Sequence, residues 1–209
     1  MKHDARDLAQ FFTTLQELKR VKRTGWIDRG VPPADVESVA DHSYLTALIA
    51  WITALDNPDL DATRVLKLAI IHDLAEAIVG DAPPYAADEV PDPSDVEALT
   101  AFFSVRHVRS PEAQAAKKTA EATAFASMTA NLPQPIRDEL TSLWDEYEEQ
   151  ETDEARYVKN TDTLEAYLQS RHYAAGDPSL PLFGFTDMAD KELDHPTLTA
   201  LRDATRGDE

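Results

Sequence analysis

The chain of 209 residues contains no cysteine. Disulfide bonds and thiolate metal sites are therefore excluded, and any metal ion must be bound through nitrogen and oxygen atoms. Long hydrophobic runs are also missing, because the longest apolar stretch, Leu45 to Leu55, is too short to span a bilayer. The N-terminal segment mixes acidic and basic residues and has no apolar core after it, unlike a signal peptide. We therefore expect a soluble, cytoplasmic protein without a membrane partner.

Positive charge is scarce. Lysine and arginine number 20 against 39 aspartates and glutamates, which gives a formal net charge of −19. This balance argues against nucleic acid as a partner of the whole surface. A small anionic substrate is still compatible, because one metal ion and a few basic side chains can invert the local field. Abundant aspartate with little lysine is typical of halophilic proteins, although a merely soluble acidic surface is the alternative.

Strand patterns are nearly absent, whereas helical patterns recur along the chain. Hydrophobic residues make up 43% of the sequence, and the length suits one domain with a substantial core. We therefore predict an all-α fold. The predicted helices cover residues 4–20, 39–55, 62–79, 95–105, 111–131, 134–150, 153–175 and 196–206, and the rest of the 177–209 tail is expected to be a loop.

The predicted helix 62–79 carries polar residues on an otherwise apolar face. His72 and Glu76 are four residues apart and share a side of that helix, and Asp73 follows His72 directly. Three such groups are costly to bury unless something binds them. Imidazole and carboxylate are suitable ligands for a divalent transition metal. An adjacent His-Asp pair is weak evidence by itself, because it also occurs in surface caps and ion pairs.

His42 and Asp162 lie on two other predicted helices, each beside an apolar stripe. Either residue alone is more often a core histidine or a paired acid than a metal ligand. With His72 and Asp73 they form a candidate set of two imidazoles and two carboxylates on three helices. Spacing alone leaves a metal site and a buried polar cluster as alternatives. The donor set would accept one divalent ion, Mn, Co, Fe, Ni, Zn or Mg.

Three segments carry a resemblance to a known family: Glu37–His42, Ile71–Asp81 and Val158–Asp162. In this order and spacing they resemble the HD-domain 5'-deoxynucleotidases, small stand-alone members of the HD superfamily of metal-dependent phosphohydrolases. The resemblance covers most of residues 8–175. It implies an HD-domain helical bundle, one divalent metal ion and a homodimer.

The resemblance divides the chain into an HD phosphohydrolase domain, residues 1–176, and a C-terminal extension, residues 177–209, packed on the same domain. Residues 86–109 form an insertion of about twenty residues relative to the family pattern, within the ordinary range of loop insertions. His107 lies in this insertion without an evident partner, so we interpret it as a surface or interface residue.

The resemblance also assigns roles to individual residues. It implies that Glu76 is the essential acid–base residue and that Asp81 contacts the substrate and helps to position water, although Asp81 could instead simply form a turn. It implies that Arg23 is a phosphate clamp, for which a guanidinium suits better than an ammonium. Trp26 could stack on a nucleobase, but core packing is favoured. The metal ligands implied by the resemblance are His42, His72, Asp73 and Asp162.

The implied reaction is hydrolysis of 2'-deoxynucleoside 5'-monophosphates to deoxynucleoside and phosphate. Two alternatives stay open: hydrolysis of another nucleotide, and a nucleotide-binding module without turnover. Guanosine-tetraphosphate hydrolysis is disfavoured, because Ala77 rather than an acid follows Glu76. A di-iron oxygenase would need two further histidines between the His-Asp pair and Asp162, and only His107 lies there.

Overall fold

The computed structural model describes residues 5–92 and 94–206, which form helices joined by loops and contain no β-strand. The predicted all-α fold is therefore confirmed. The helices are α1 Ala5–Leu15, α2 Thr24–Ile27, α3 Val39–Ala54, α4 Ala62–Ile71, α5 Glu76–Val79, α6 Val96–Phe103, α7 Pro111–Thr129, α8 Gln134–Glu149, α9 Asp153–Gly176, α10 Phe183–Glu192 and α11 Pro196–Thr205. A short 3₁₀ helix, Gln16–Lys19, follows α1.

Side-chain caps start the helices close to where the sequence predicts them. The Ser38 hydroxyl accepts a hydrogen bond from the backbone N–H of Asp41, and the Asp41 carboxylate accepts from the N–H of Ser38, which completes a capping box at α3. Thr152 caps α9 in a similar way. The sequence-based start of α6 at Ser94 is one residue early, because the carboxylate of Asp95 accepts from the N–H of Ala98.

The predicted continuous helix 62–79 is wrong, because α4 ends at Ile71 and α5 begins only at Glu76. The Nδ1 atom of His72 lies 2.7 Å from the carbonyl oxygen of Ala69, so the ring occupies the acceptor that an α-helix would offer to the N–H of Asp73. The backbone then continues through tighter i to i+3 hydrogen bonds, such as Glu76 N–H to the Asp73 carbonyl. His72 and Glu76 are therefore not related by one regular helical turn.

The core is built around α9, which packs against α3, α4, α10 and α11. Leu68 of α4 and Leu164 and Tyr167 of α9 are almost completely buried in it. Three helices that carry predicted ligands therefore meet in the centre of the molecule. Among the described residues, no helix is long and apolar enough to cross a membrane.

The C-terminal tail contains a helix that the sequence did not indicate. Residues 183–192 form α10, although no side chain caps it and Gly184 lies in its first turn. Packing on α9 stabilises this helix, since Ala189 and the following Leu193 are buried in the main core. The predicted division between domain and extension at residue 176 stays a prediction.

The insertion, residues 86–109, contains α6 and packs on its own small apolar cluster. Leu99 and Phe103 are buried there beside Tyr85. The ring of His107 stacks on Phe102 with a centroid distance of 4.1 Å, and its Nε2 lies 2.9 Å from the Phe102 carbonyl oxygen. These contacts give His107 partners that the sequence did not reveal and hold its ring half-buried, whereas its interpretation as a surface or interface residue stays a prediction.

Candidate active site

His42 on α3 and His72 at the end of α4 direct the same ring atom, Nε2, into one region. His42 is fully buried and His72 almost so, and their ring centroids are 5.5 Å apart. The Nδ1 atom of His42 lies 2.5 Å from Oε2 of Glu165, whereas Nδ1 of His72 contacts the Ala69 carbonyl. Each ring is thus held through Nδ1, which leaves the Nε2 lone pair available.

Two carboxylates approach these nitrogen atoms. Asp73 Oδ2 lies 3.2 Å from Nε2 of His72 and 3.6 Å from Nε2 of His42, and Asp162 Oδ1 lies 3.2 Å from Nε2 of His42. Neither Nε2 atom has a hydrogen-bond partner among the described residues. Buried nitrogen atoms that lack hydrogen bonds but face carboxylate oxygens fit a divalent metal ion. The structure therefore brings all four predicted ligands together.

The charge distribution of this cluster favours a cation. Burial opposes ionisation of Asp162, but Lys159 and the two histidines hold the pKa of its carboxyl well below the usual value. Burial likewise opposes ionisation of Asp73, and the histidines lower its pKa below the normal range. Burial and Arg23 lower the pKa of His42, but its contacts with Asp162 and Glu165 outweigh them and raise it to about 10. Protons and metal ions compete for such a site.

Glu76 lies beside the cluster with its carboxyl group almost completely buried. Its Oε2 atom has no hydrogen-bond partner among the described residues, and Lys117 Nζ is 4.0 Å from Oε1. Burial, together with the charges of Asp73 and Asp81, raises the pKa of Glu76 well above its usual value, although Arg23 and Lys117 partly offset this effect. A protonated carboxyl group beside a predicted metal site is suited to act as a general acid.

Arg23 and Asp81 form an ion pair at the edge of the cluster. Arg23 Nη1 donates to Asp81 Oδ1 at 2.9 Å, and the backbone N–H of Thr24 donates to Oδ2 at 2.7 Å. Gly80, with a φ of 78°, provides the left-handed turn from which Asp81 reaches Arg23. Asp81 is therefore bound by a distant segment, which a merely turn-forming residue would not require.

Trp26 lies behind Arg23 in a second, smaller core cluster. It is 1% exposed, its indole N–H donates to Glu37 Oε1 at 2.8 Å, and its ring stacks on Phe185. These contacts agree with the core interpretation of Trp26.

A cleft of about 660 Å³ is lined by Glu76 and by three of the predicted ligands, His72, Asp73 and Asp162. Its walls carry as many basic as acidic side chains, seven of each, although acidic residues outnumber basic ones by 39 to 20 in the whole chain. Sequence reasoning missed this local balance of charge, because the residues come from separate elements and only meet in the fold. Of these residues, Lys159 lies in a segment that carries the family resemblance, Val158–Asp162. Besides Arg23, the basic side chains that line the cleft are Arg29, Arg106, Arg109, Lys117, Lys118 and Lys159.

Comparison with known proteins agrees with this arrangement. A family model described as HD domain matches residues 15–191, and the chain therefore belongs to the HD domain family. It is similar to the human protein named 5'-deoxynucleotidase HDDC2, with 36% identity over 200 residues that cover 95% of this chain and 84% of that protein. The Xenopus laevis protein of the same name is 37% identical over 168 residues, which cover 80% of this chain and 70% of that protein.

The fold is also found among solved structures. A conserved hypothetical protein from Pyrococcus furiosus matches with a TM-score of 0.63 and 28% identity, over 94% of this chain and 97% of that one. The predicted HD-domain helical bundle is therefore confirmed.

Proposed function

We propose that this chain is a metal-dependent phosphomonoesterase, a 5'-deoxynucleotidase that hydrolyses 2'-deoxynucleoside 5'-monophosphates to deoxynucleoside and phosphate. The observation that supports this most directly is the pair of buried Nε2 atoms, in His42 and His72, that face Asp73 and Asp162 without hydrogen bonds. The names of the human and frog relatives support the substrate class. The cleft has as many basic as acidic side chains in a chain whose formal net charge is −19, and a bound divalent cation would make it positive, which supports an anionic substrate.

In this proposal His42, His72, Asp73 and Asp162 hold one divalent ion, either Mn, Co, Fe, Ni, Zn or Mg. When bound, such an ion supplies Lewis-acid polarisation of the phosphoryl group and of the attacking water. The absence of cysteine restricts the donors to nitrogen and oxygen, which all six ions accept.

Three side chains of the protein bind the substrate or transfer a proton to it. Glu76 holds a proton in its buried carboxyl group and delivers it to the departing sugar oxygen. The Arg23 guanidinium neutralises phosphoryl oxygens as negative charge develops on them. Asp81 contacts the nucleotide and helps to position water, with its carboxylate fixed by Arg23 and Thr24.

We further propose a cytoplasmic homodimer that is adapted to high salt. The formal net charge of −19 supports salt adaptation, because a dense acidic surface repels itself at low ionic strength. Light scattering across a range of salt concentrations would measure both the mass of the assembly and its dependence on ionic strength.

The decisive experiment measures phosphate release from a panel of deoxy- and ribonucleoside monophosphates with each of the six ions. Wild type and Glu76→Ala are compared at equal metal loading. We expect release from the deoxynucleotides and at least a hundredfold loss in the variant, which is the usual scale of general acid–base catalysis. No release by the metal-loaded wild type would reject the proposal and favour a nucleotide-binding module. Equal activity of the two proteins would remove Glu76 from the mechanism.

A further inference from the structure

Glu165 contacts the ring of His42 on the side opposite the predicted metal position. The residue is 1% exposed, and its Oε2 atom lies 2.5 Å from Nδ1 of His42. The other ring nitrogen, Nε2, faces Asp73 and Asp162. Glu165 is therefore outside the predicted ligand set, yet it forms the closest polar contact of one member of that set.

One helix supplies the contacts on both sides of this ring. Asp162 and Glu165 are three residues apart on α9, so their side chains project from neighbouring positions of the same helical surface. Asp162 approaches Nε2 of His42 while Glu165 approaches Nδ1. Because α9 is the central helix of the core, the ring of His42 is clamped by a rigid element rather than by a loop.

The contact at Nδ1 determines which ring nitrogen of His42 is able to bind a metal ion. A neutral histidine carries one proton, and it can bind a metal through Nε2 only when that proton lies on Nδ1. An ionised carboxylate can only accept hydrogen bonds, so Glu165 selects the form of His42 with the proton on Nδ1. The backbone carbonyl of Ala69, which also can only accept a hydrogen bond, selects the form of His72 with the proton on Nδ1. The two predicted histidine ligands therefore share one orientation but differ in what enforces it.

A second carboxyl group, that of Glu37, lies close to this contact and offers a natural comparison. One oxygen of Glu37 lies within 4.8 Å of a ring nitrogen of His42 and of a carboxylate oxygen of Glu165, and Glu37 Oε1 accepts from the Trp26 indole N–H. Burial and the nearby charge of Glu165 raise the pKa of Glu37 to about 7, although His42, Trp26 and Arg23 partly offset them. Glu37 is thus close to the same ring without a hydrogen bond to it.

We propose that Glu165 is a positioning residue of the metal site, which fixes the tautomer and the ring orientation of His42 so that Nε2 is directed at the ion. This inference rests on the proposed metal site. Carboxylate partners of this kind raise the basicity of a histidine ligand, and their removal commonly costs about 10- to 100-fold in metal affinity.

The test compares wild type, Glu165→Gln and Glu37→Gln as full-length proteins. Calorimetric titration with Co²⁺ and with Mn²⁺ measures metal affinity, and circular dichroism checks that each variant is folded. We expect Glu165→Gln to bind about 10- to 100-fold more weakly, because its amide can donate to Nδ1 and move the proton to Nε2. We expect Glu37→Gln to bind like wild type, because glutamine resembles the protonated acid and keeps the contact with Trp26.

A second readout follows the tautomer directly and does not depend on activity. Ring ¹⁵N chemical shifts of metal-free protein are recorded above pH 10, because both ring nitrogens carry protons below the raised His42 pKa of about 10. Assigned with a His42→Gln variant, they should show the Nδ1–H form of His42 in wild type and Glu37→Gln. They should show loss of that form in Glu165→Gln. If Glu165→Gln does not fold, Glu165→Asp replaces it, since a retracted carboxylate should weaken metal binding while the charge is kept.

The outcomes separate this inference from the proposed function. If wild type binds no ion in the titration, the proposed metal site fails, and the chemical shifts alone then decide whether Glu165 fixes the ring. The positioning role is overturned if the substituted Glu165 variant binds the ion as tightly as wild type does and the tautomer of His42 is unchanged. Equal losses in the Glu165 and Glu37 variants would also overturn it, because they would indicate general damage to the buried cluster.

Discussion

The guanidinium of Arg23 donates a 2.9 Å hydrogen bond to the carboxylate of Asp81, although the two residues are 58 positions apart in the chain. Both were predicted to contact the substrate, and the fold binds them to each other. A guanidinium has five N–H donors in a fixed planar fork, so one contact with Asp81 leaves others available for a phosphate. The ion pair therefore orients Arg23 before a substrate arrives, which reduces the entropy lost on binding.

This geometry predicts the effect of Arg23→Lys. Lysine keeps the positive charge but cannot bind Asp81 and a phosphate oxygen through one rigid fork. We expect KM for the monophosphate to rise about tenfold or more, since charge-assisted hydrogen bonds contribute about 1.5–3 kcal/mol. Steady-state kinetics measure this change, and Arg20→Lys, at a largely exposed position, is the matched control. An unchanged KM in Arg23→Lys would show that Arg23 does not contact the phosphate.

Glu76→Gln should separate stability from activity. The folded protein raises the pKa of Glu76 above its value of about 4.5 in the unfolded chain, chiefly through burial. The folded state therefore binds more protons between these two pKa values, so the contribution of Glu76 to stability is lost as the pH rises through that window. Glutamine does not titrate, and we expect the melting temperature of the variant to exceed that of wild type increasingly above pH 4.5 or so.

Thermal unfolding in a chelating buffer, measured at several pH values, tests this expectation. The same variant should lose activity by about two orders of magnitude or more. The exposed Glu97→Gln serves as the control and should keep both the wild-type melting temperature and the wild-type activity. If the melting temperature of Glu76→Gln stays at or below that of wild type at every pH, the buried carboxyl group does not destabilise the folded state.

Metal addition should stabilise the protein through His72 and not through His107. A ligand that binds only the folded state at a hundred times its Kd stabilises that state by about 2.7 kcal/mol. We expect Mn²⁺ or Co²⁺ to raise the melting temperature of wild type and of His107→Ala, whose ring packs on Phe102. His72→Ala should show little or no increase. Chelation should abolish phosphate release, and re-addition of the ion should restore it.

How far the sequence predicted this molecule can be judged from particular residues. The helices with strong caps, at Ser38 and Thr152, were predicted well, because capping is a local effect of side chain on backbone. The break after His72 was missed, since it depends on a ring nitrogen that contacts the Ala69 carbonyl. Helix α10 was missed because tertiary packing on α9, not a local signal, stabilises it.

The candidate site also combines features that the sequence predicted with features that it did not. The convergence of His42, His72, Asp73 and Asp162 was expected from a resemblance, and the fold brings them together. The contact between His42 and Glu165 was not predicted. This contact joins α3 to α9 across 123 positions of the chain. A single sequence does not indicate which of two such distant residues come into contact.

The insertion should support the substrate contact of Asp81 from outside the cluster. Arg109, at its end, donates to the carbonyl oxygen of Ala82, the residue after Asp81, at 2.5 Å and to Gln114 at 3.1 Å. Removal of this side chain frees the loop that carries Asp81, so we expect Arg109→Ala to raise KM by about three- to tenfold, which corresponds to the net contribution of one hydrogen bond.

Arg137→Ala provides the control for this variant. Arg137 also donates to a backbone carbonyl, that of Ala130, but it lies on α8 and does not line the cleft. Its KM should therefore stay at the wild-type value. Equal KM values in all three proteins would mean that the loop keeps its position without the Arg109 side chain. A fall in kcat with unchanged KM would instead place Arg109 in the stabilisation of the transition state, because such a change reflects an interaction absent from the bound substrate.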